Sequence, residues 1–478
     1  MKTLFAQSVP GRTACVPDKP EHRAADMLPA NLLRQKPPRL PELAELDVVR
    51  HFTRLSRCNF SVDSNFYPLG SCTMKYNPKF TEQVAAMPAF TAQHPLLGQL
   101  PGTAGFAQGS LECLWELEQA LCEITGMAGF TLQPMAGANG EFTGVMLIAA
   151  YHRDKGNRKT KIICPDSAHG TNPASATLAG FEVVNIPSRD GMIDPDALEA
   201  ALDDDVAALM MTCPNTLGLF ETHLPAIVEK LRRVDALLYY DGANMNAILG
   251  KMRVGDVGFD VVHLNVHKTF GTPHGGGGPG AGPVGASERL LPYLPVGRVE
   301  KDAQGVFSLN FDYPKSIGHI APFYGNFSVL LKALAYIWRL GGEGLTRVAE
   351  YSVLNANYLR KLVEKTLDLP YDRICAHEFV ASAPKGLHAL DLAKGLLDRG
   401  IHAPTIYFPL IVPECLMAEP TETENKQTLE EYANALEELV ALGNKDPEAL
   451  HAMPVGTPVR RLDETGAARQ MILTEDLG

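Results

Sequence analysis

The hydrophobic pattern changes period along the chain. From Leu46 to Ser56 apolar positions recur at helical spacing, and from Ser110, a residue suited to capping a helix, Leu111, Leu114, Leu117, Leu121 and Ile124 fall on one face until Gly126 closes the run. Beyond this point short apolar runs alternate with helical segments. Phe130–Leu132, Lys161–Pro165, Phe181–Ile186, Val206–Thr212, Leu237–Asp241 and the run from Val262 read as strands. Helices are predicted over Phe142–His152, from Asp194-Pro195-Asp196, and over Leu224–Val234. Such alternation predicts an α/β fold with a mostly parallel sheet and helices on both faces. After Gly285 the pattern leaves the sheet. A helix over Phe327–Leu340 stops at Gly341-Gly342, and a long helix from Gly344 to Leu367 leads to a smaller C-terminal α+β unit, with a helix over Leu390–Arg399. The Pro-rich, charged residues 1–45 read as an extended arm, a feature of oligomers. The expected division is an arm and loop segment over 1–108, a large domain over 109–343, and a bridging helix with a small domain over 344–478.

Length and composition agree with a globular chain. The 478 residues are 45% hydrophobic, enough for a large core, and a net charge of −12 argues against nucleic acid or an anionic membrane as the main partner. Nine cysteines lie scattered without a CxxC pair, which suggests neither a zinc site nor a disulfide scaffold and fits a reducing compartment. The N-terminus makes a poor signal peptide and no run of 18 apolar residues suggests a span, so a cytoplasmic location is expected.

The chemistry gathers at the ends of the strands. In VHLNVHKTFGTPHGGGGPGAGPVG an apolar strand runs into His267-Lys268-Thr269 and then four glycines, which allow tight turns and close backbone approach to a bound group. A lysine so placed suits covalent attachment of an aldehyde cofactor, pyridoxal phosphate, although a solvated lysine before a flexible loop is the blander reading. Upstream, LLYYDGAN ends a strand at Asp241; a parallel pairing brings both strand ends to one edge, where Asp241 can pair with a pyridinium nitrogen. QPMAGANGE opens a helix with small residues, leaving free N–H groups for an anion such as a phosphate, or simply making a turn. His169 follows another strand, placed either to stack on a cofactor ring or to serve as a structural histidine. Pro214-Asn215-Thr216 offers a polar contact at the same edge, and Ser71, Thr73 and Lys75 lie in an aperiodic stretch that reads as a substrate loop or a plain connector.

Five segments in order, GSCTMKYNP, QPMAGANGE, SAHGTNPASA, YYDGANMNAI and NVHKTFGTPHGGGGPG, together resemble the glycine decarboxylase family, the P-protein of the glycine cleavage system, and within it the lysine-bearing second subunit of the bacterial two-chain form. The resemblance continues through HAPTIYFP and EPTETENK. It implies a fold-type I pyridoxal 5'-phosphate enzyme in which Lys268 is the Schiff-base lysine, His169 the ring-stacking residue and Asp241 the pyridinium partner. Ala138, Asn139, Gly140 and His267 would lie at the phosphate, Ala243 near the ring, and Asn215 at the cofactor edge. Ser71, Thr73, Lys75 and Asn326 are the candidates for glycine. The family pattern has Asn, Gln and Asn where Met135, Asn139 and Cys213 stand. Implied partners are glycine decarboxylase subunit 1, in an expected α2β2 assembly, and lipoylated H-protein. Another fold-type I enzyme of a different amino acid, or a non-catalytic partner subunit, is the alternative.

Overall fold

The computed structural model describes residues 2–14, 18, 20–36, 38–94, 97–98, 100, 102–275 and 279–473; Gly276–Gly278 of the glycine run lie outside them. The chain divides into two compact units, residues 1–61 with 454–478, and residues 62–453.

In the first unit the N-terminal segment folds back on itself. The Val9 N–H donates to Glu42 O at 3.0 Å and Arg12 pairs with Asp47 at 3.0 Å. Helix α1 (Glu45–Ser56) occupies the position expected from its pattern, with Leu46, Val49, Phe52 and Leu55 exposed.

The second unit is built on a seven-stranded sheet. Its helices and strands, in chain order, are α2 (Gln108–Thr125), β1 (Gly129–Thr131), α3 (Gly137–Asp154), β2 (Lys161–Pro165), α4 (Thr171–Leu178), β3 (Glu182–Ile186), α5 (Pro195–Ala201), β4 (Val206–Met211), α6 (Leu224–Arg233), β5 (Leu237–Gly242), β6 (Val261–Leu264), β7 (Val284–Ala286) and α7 (Phe327–Val363). The strand order is β1-β7-β6-β5-β4-β2-β3. Pairings from β3 through β6 are parallel, and β7 runs antiparallel to β6 and β1. Alternation along the strands decides the layers. Ile163, Leu209, Met211, Leu238, Tyr240 and Val262 face one core with α2, α6 and α7, whereas Ile162, Cys164, Met210, Leu237, Tyr239 and Val261 face the other with α3. Strands covered on both faces read as unbroken apolar runs, and for that reason they were visible in the sequence.

Four elements differ from the expectation. The chain does not leave the sheet at Gly285, because β7 adds a strand there. Helix α3 starts at Gly137, five residues before Phe142, and α4 occupies a stretch to which the hydrophobic pattern assigns no element. The two helices expected around Gly341 form one long element broken at that residue, which takes φ 62°.

C-terminal to this, β8 (Phe379–Ser382), α8 (Ala389–Asp398), β9 (Thr405–Ile406), β10 (Cys415–Ala418) and α9 (Lys426–Lys445) make a small antiparallel sheet, in the order β8-β10-β9, backed by helices. Leu359 and Val363 of α7 share its core with Leu392, Leu396, Leu436 and Leu439. No helix among the described residues is long and apolar enough to cross a membrane.

Candidate active site

The C-terminal ends of the parallel strands converge on a cavity of about 130 Å3. Asp241 and His263 are paired across β5 and β6, and the chain leaves β6 through Asn265 into a single helical turn carrying Lys268. From the loop after β2 comes His169, from the loop after β4 come Thr212 and Thr216, and from α3 come Gly137, Ala138 and Glu141. Ser71, Thr171, Ala243 and Asn244 also line it. The loops are tied together, since Thr216 Oγ donates to Ser167 O at 2.6 Å.

At the floor of the cavity Asp241 accepts from the Ala243 N–H at 3.1 Å and lies 3.4 Å from His263 Nε2, while His263 Nδ1 meets Tyr239 OH at 2.8 Å. Burial pushes the Asp241 carboxyl up, but His263, the Ala243 N–H, Lys268 and His169 outweigh it and hold the group below its ordinary range. The Lys268 amine donates to Ser71 O at 2.6 Å and to Asn244 Oδ1 at 3.0 Å. At the mouth, the His169 ring packs edge-on against Phe408, with centroids 5.6 Å apart, and its Nδ1 lies 2.8 Å from Thr171 Oγ. Burial and the Lys268 cation keep this imidazole below its ordinary value, against the pull of Asp241.

Other expected site residues lie off the cavity. Asn139 turns its Oδ1 back to the Met135 N–H at 3.0 Å. Gly140 packs against the backbone of Gly282, where a Cβ would come within 2.4 Å of a carbonyl. Asn215 closes its own loop, accepting from the Leu217 and Leu219 N–H groups and donating to Gly191 O. His267 sits beside His274, and burial drives it down to about 3. Asn326 bonds Met135 O and Gly280 O and lines a different cavity with Phe90 and Phe323. Lys75 is wholly buried in an ion pair with Glu422 at 2.9 Å and also donates to Thr269 O and Tyr336 OH. Thr73 is buried behind the Ser71 turn, its N–H and hydroxyl both given to Glu419.

Two carboxyls not singled out from the sequence support this turn. Glu378 precedes β8 and Glu419 follows β10, so the antiparallel register sets them side by side. Glu378 accepts from the Ser71 N–H at 2.6 Å, and Glu419 also accepts from Asn244 and Asn246. Both acceptors of the Lys268 amine are therefore held by this pair. Burial raises Glu378 to about 8, reinforced by Glu419, and raises Glu419 to about 7. Each ends or begins an apolar run, the same signal that marked Asp241. His263, a lone polar residue inside a buried strand, was legible on similar grounds.

The cavity suits a polar, planar cofactor. Thr212 Oγ and Asn265 Oδ1, both at its lining, are buried without a hydrogen-bond partner, which is costly unless a bound group supplies one. Asp241 adds a carboxylate kept ionised, and α3 directs the N–H groups of its first turn toward the opposite end.

Residues 348–444 match the family model for the glycine dehydrogenase C-terminal domain, and residues 140–277 match that for class-V aminotransferases. Among relatives, the probable glycine dehydrogenase (decarboxylating) subunit 2 of Kosmotoga olearia is 53% identical, over 98% of each chain. That of Thermotoga maritima is 52% identical, over 98% of this chain and 99% of its own. The fold is similar to the crystal structure of glycine decarboxylase (P-protein) of the glycine cleavage system in inhibitor-bound form, at TM-score 0.73 and 22% identity, covering 86% of this chain and 93% of that one. It is also similar to the cysteine desulfurase CsdA from Escherichia coli, at TM-score 0.61 and 16% identity, covering 80% and 96%. The architecture is the fold-type I, aminotransferase-like α/β fold expected from the sequence. By sequence identity along nearly its whole length, the chain belongs to the family of glycine dehydrogenase (decarboxylating) subunit 2.

Proposed function

We propose that this chain is the lysine-bearing catalytic half of a two-subunit glycine decarboxylase, carrying pyridoxal 5'-phosphate at Lys268, releasing CO2 from glycine and passing the aminomethyl remainder to the lipoyl arm of H-protein. The observation that carries the reading is the convergence of Lys268, Asp241 and His169 on one cavity, in a chain of this family. When bound, the cofactor's pyridinium ring accepts the electron pair released as the carboxyl group departs.

The chain's own residues prepare that chemistry. Asp241, held ionised by His263 and the Ala243 N–H, would hold the pyridine nitrogen of the cofactor and favour its protonated form. The Lys268 amine has a resting position on Ser71 O and Asn244 Oδ1 when substrate displaces it. His169, which lines the cavity and is braced by Phe408, would limit entry of water to a bound cofactor. Ala138 and the first turn of α3 are the seat for the phosphate. Among the glycine candidates, Ser71 fits through its place at the cavity wall, whereas Lys75 and Asn326 are committed elsewhere. The relatives' designation as subunit 2 supports subunit 1 as partner. The eight described cysteines are all unpaired, in keeping with work in the cytoplasm.

The test is exchange of labelled bicarbonate into the carboxyl group of glycine, using the chain alone, then with subunit 1 and lipoylated H-protein. Exchange that requires all three, and is abolished in Lys268→Ala together with the visible absorbance of the bound cofactor, is the expected result. Cofactor absorbance without glycine exchange in the full mixture would overturn the substrate and leave the cofactor reading intact.

A further inference from the structure

The residues behind His169 form a chain in which one hydroxyl proton must serve two neighbours. Thr171 Oγ lies 2.8 Å from His169 Nδ1 and 2.8 Å from Glu141 Oε2, and the Thr171 backbone N–H points at the same Nδ1 from 3.3 Å. From this geometry we infer that Glu141, acting through the Thr171 hydroxyl, sets the tautomer of His169, so that a neutral carboxyl fixes the ring with its proton on Nε2.

The argument follows from counting protons. The backbone N–H aimed at Nδ1 from 3.3 Å favours that nitrogen as an acceptor, which leaves the proton of the neutral ring on Nε2. The hydroxyl proton must then also point at Nδ1, since otherwise two lone pairs face each other across 2.8 Å. With its proton committed, Thr171 Oγ is free to accept, and its neighbour on that side is Glu141, which supplies a proton only as a carboxylic acid. If Glu141 ionises, its proton goes to solvent and the hydroxyl turns to the carboxylate. The ring then exchanges its Nε2 proton for one on Nδ1, without change of charge, because the 2.8 Å contact to the hydroxyl oxygen outweighs the 3.3 Å contact to the backbone N–H, which loses its acceptor.

The surroundings of Glu141 favour the neutral form. The residue is 2% exposed and its Oε1 lacks a partner. Burial and the nearby Asp241 carboxylate raise it to about 7, against hydrogen bonds from Ser175 and Thr171. Cys164 on β2, Tyr239 on β5 and, across Asp241, His263 on β6 are the other titratable groups around it. His169 itself feels Asp241 and Lys268. Of the two carboxyls in this cluster, Asp241 has His263 and the Ala243 N–H to stabilise its charge; Glu141 has no cationic partner among the groups named here. It is therefore a positioning residue for the ring at the cavity mouth. The consequence for a bound cofactor rests on the function proposed above, while the tautomer assignment stands without it.

The experiment is 15N NMR of the full chain labelled at histidine, with the His169 signals assigned by their loss in His169→Gln, and no cofactor needed. In the unsubstituted protein the Nε2–H form is expected on the acid side, giving way to Nδ1–H with a midpoint of about 7. Glu141→Gln supplies a permanent N–H donor to Thr171 Oγ and should lock the ring as Nε2–H on both sides of that midpoint. Thr171→Val removes the shared hydroxyl and should abolish the pH response. A Glu141→Gln protein that follows the same tautomer change as the unsubstituted chain overturns the inference. Should that variant fail to fold, an unchanged response in Thr171→Val overturns it equally. Loss of glycine exchange alone would bear on the proposed function and leave these signals unaffected.

Discussion

Lys75 Nζ has no contact with solvent, yet Glu422, Thr269 O and Tyr336 OH surround it within 3.1 Å. Burial alone would strip its charge, but the Glu422 carboxylate wins and holds the amine above its ordinary value. Lys75→Met leaves a buried carboxylate unpaired, and a destabilisation of about 3–5 kcal/mol is expected in urea unfolding. Restoring balance with Lys75→Met and Glu422→Leu together should recover most of it. A lysine that bound the glycine carboxylate would instead raise KM at unchanged stability. The sequence could not reveal this pair because 347 residues separate its members. Lys268, Asp241 and His169 were legible for the opposite reason: each stands where an apolar run ends, and in a parallel sheet those ends share an edge. Glu378 and Glu419 carry the same signal, but their role appears only when β8 and β10 pair and the Ser71 turn lies across them.

Helix α3 owes its position to close approach. At Gly140 a Cβ would meet the carbonyl oxygen of Gly282 at 2.4 Å, and at Gly144 it would meet the Tyr239 ring at 2.4 Å. The glycines that suggested a phosphate turn in the sequence therefore serve first to seat the helix, and the anion-binding end follows from where that seat puts its first turn. Gly140→Ala must push backbone against backbone, at a cost of about 1–3 kcal/mol. It should also weaken cofactor binding in equilibrium dialysis, because the first turn shifts with it. Gly109→Ala, in α2 with no atom within 4 Å of the added methyl, is the control and should be neutral or slightly stabilising. The same glycines hid the start of α3 from the hydrophobic pattern, which became helical only at Phe142. Helix α4 was missed because TNPASATL has no apolar stripe, and β7 because Val284–Ala286, set among glycines and prolines in GPGAGPVGA, shows no apolar run. Strands buried on both faces were read correctly, since continuous apolar sequence has few other uses in a chain that lacks a membrane-length run.

Across the described residues five carboxyls are raised with burial as the main cause, Glu118, Glu141, Glu419 and Glu424 to about 7 and Glu378 to about 8. The unfolded chain releases these protons at the ordinary carboxyl value of 4.5, whereas the folded protein keeps them. Between 4.5 and about 8 the unfolded state thus binds fewer protons at these groups than the native state, so their contribution to stability falls as pH rises through that window and levels off above it. Asp241 works in the other direction only at acid pH, and the histidines that burial holds below 6.5, His267 and His377 among them, oppose the decline up to that value. Above that value the carboxyls decide the slope, and urea unfolding of the chain at fixed ionic strength should give a lower midpoint at pH about 8.5 than at about 7. Repulsion among exposed charges, in a protein of net charge −12, predicts a decline of the same sign. Salt separates the two causes: at about 0.5 M the Debye length shrinks to a few ångströms and exposed repulsion fades, while carboxyls shut away from solvent keep their penalty. Glu378→Gln, which imitates the neutral acid, should flatten the decline at high salt. A slope that vanishes in salt, or one that Glu378→Gln leaves unchanged, would mean that Glu378 is ionised in the folded protein and that the turn holding Lys268 rests on a charged carboxylate.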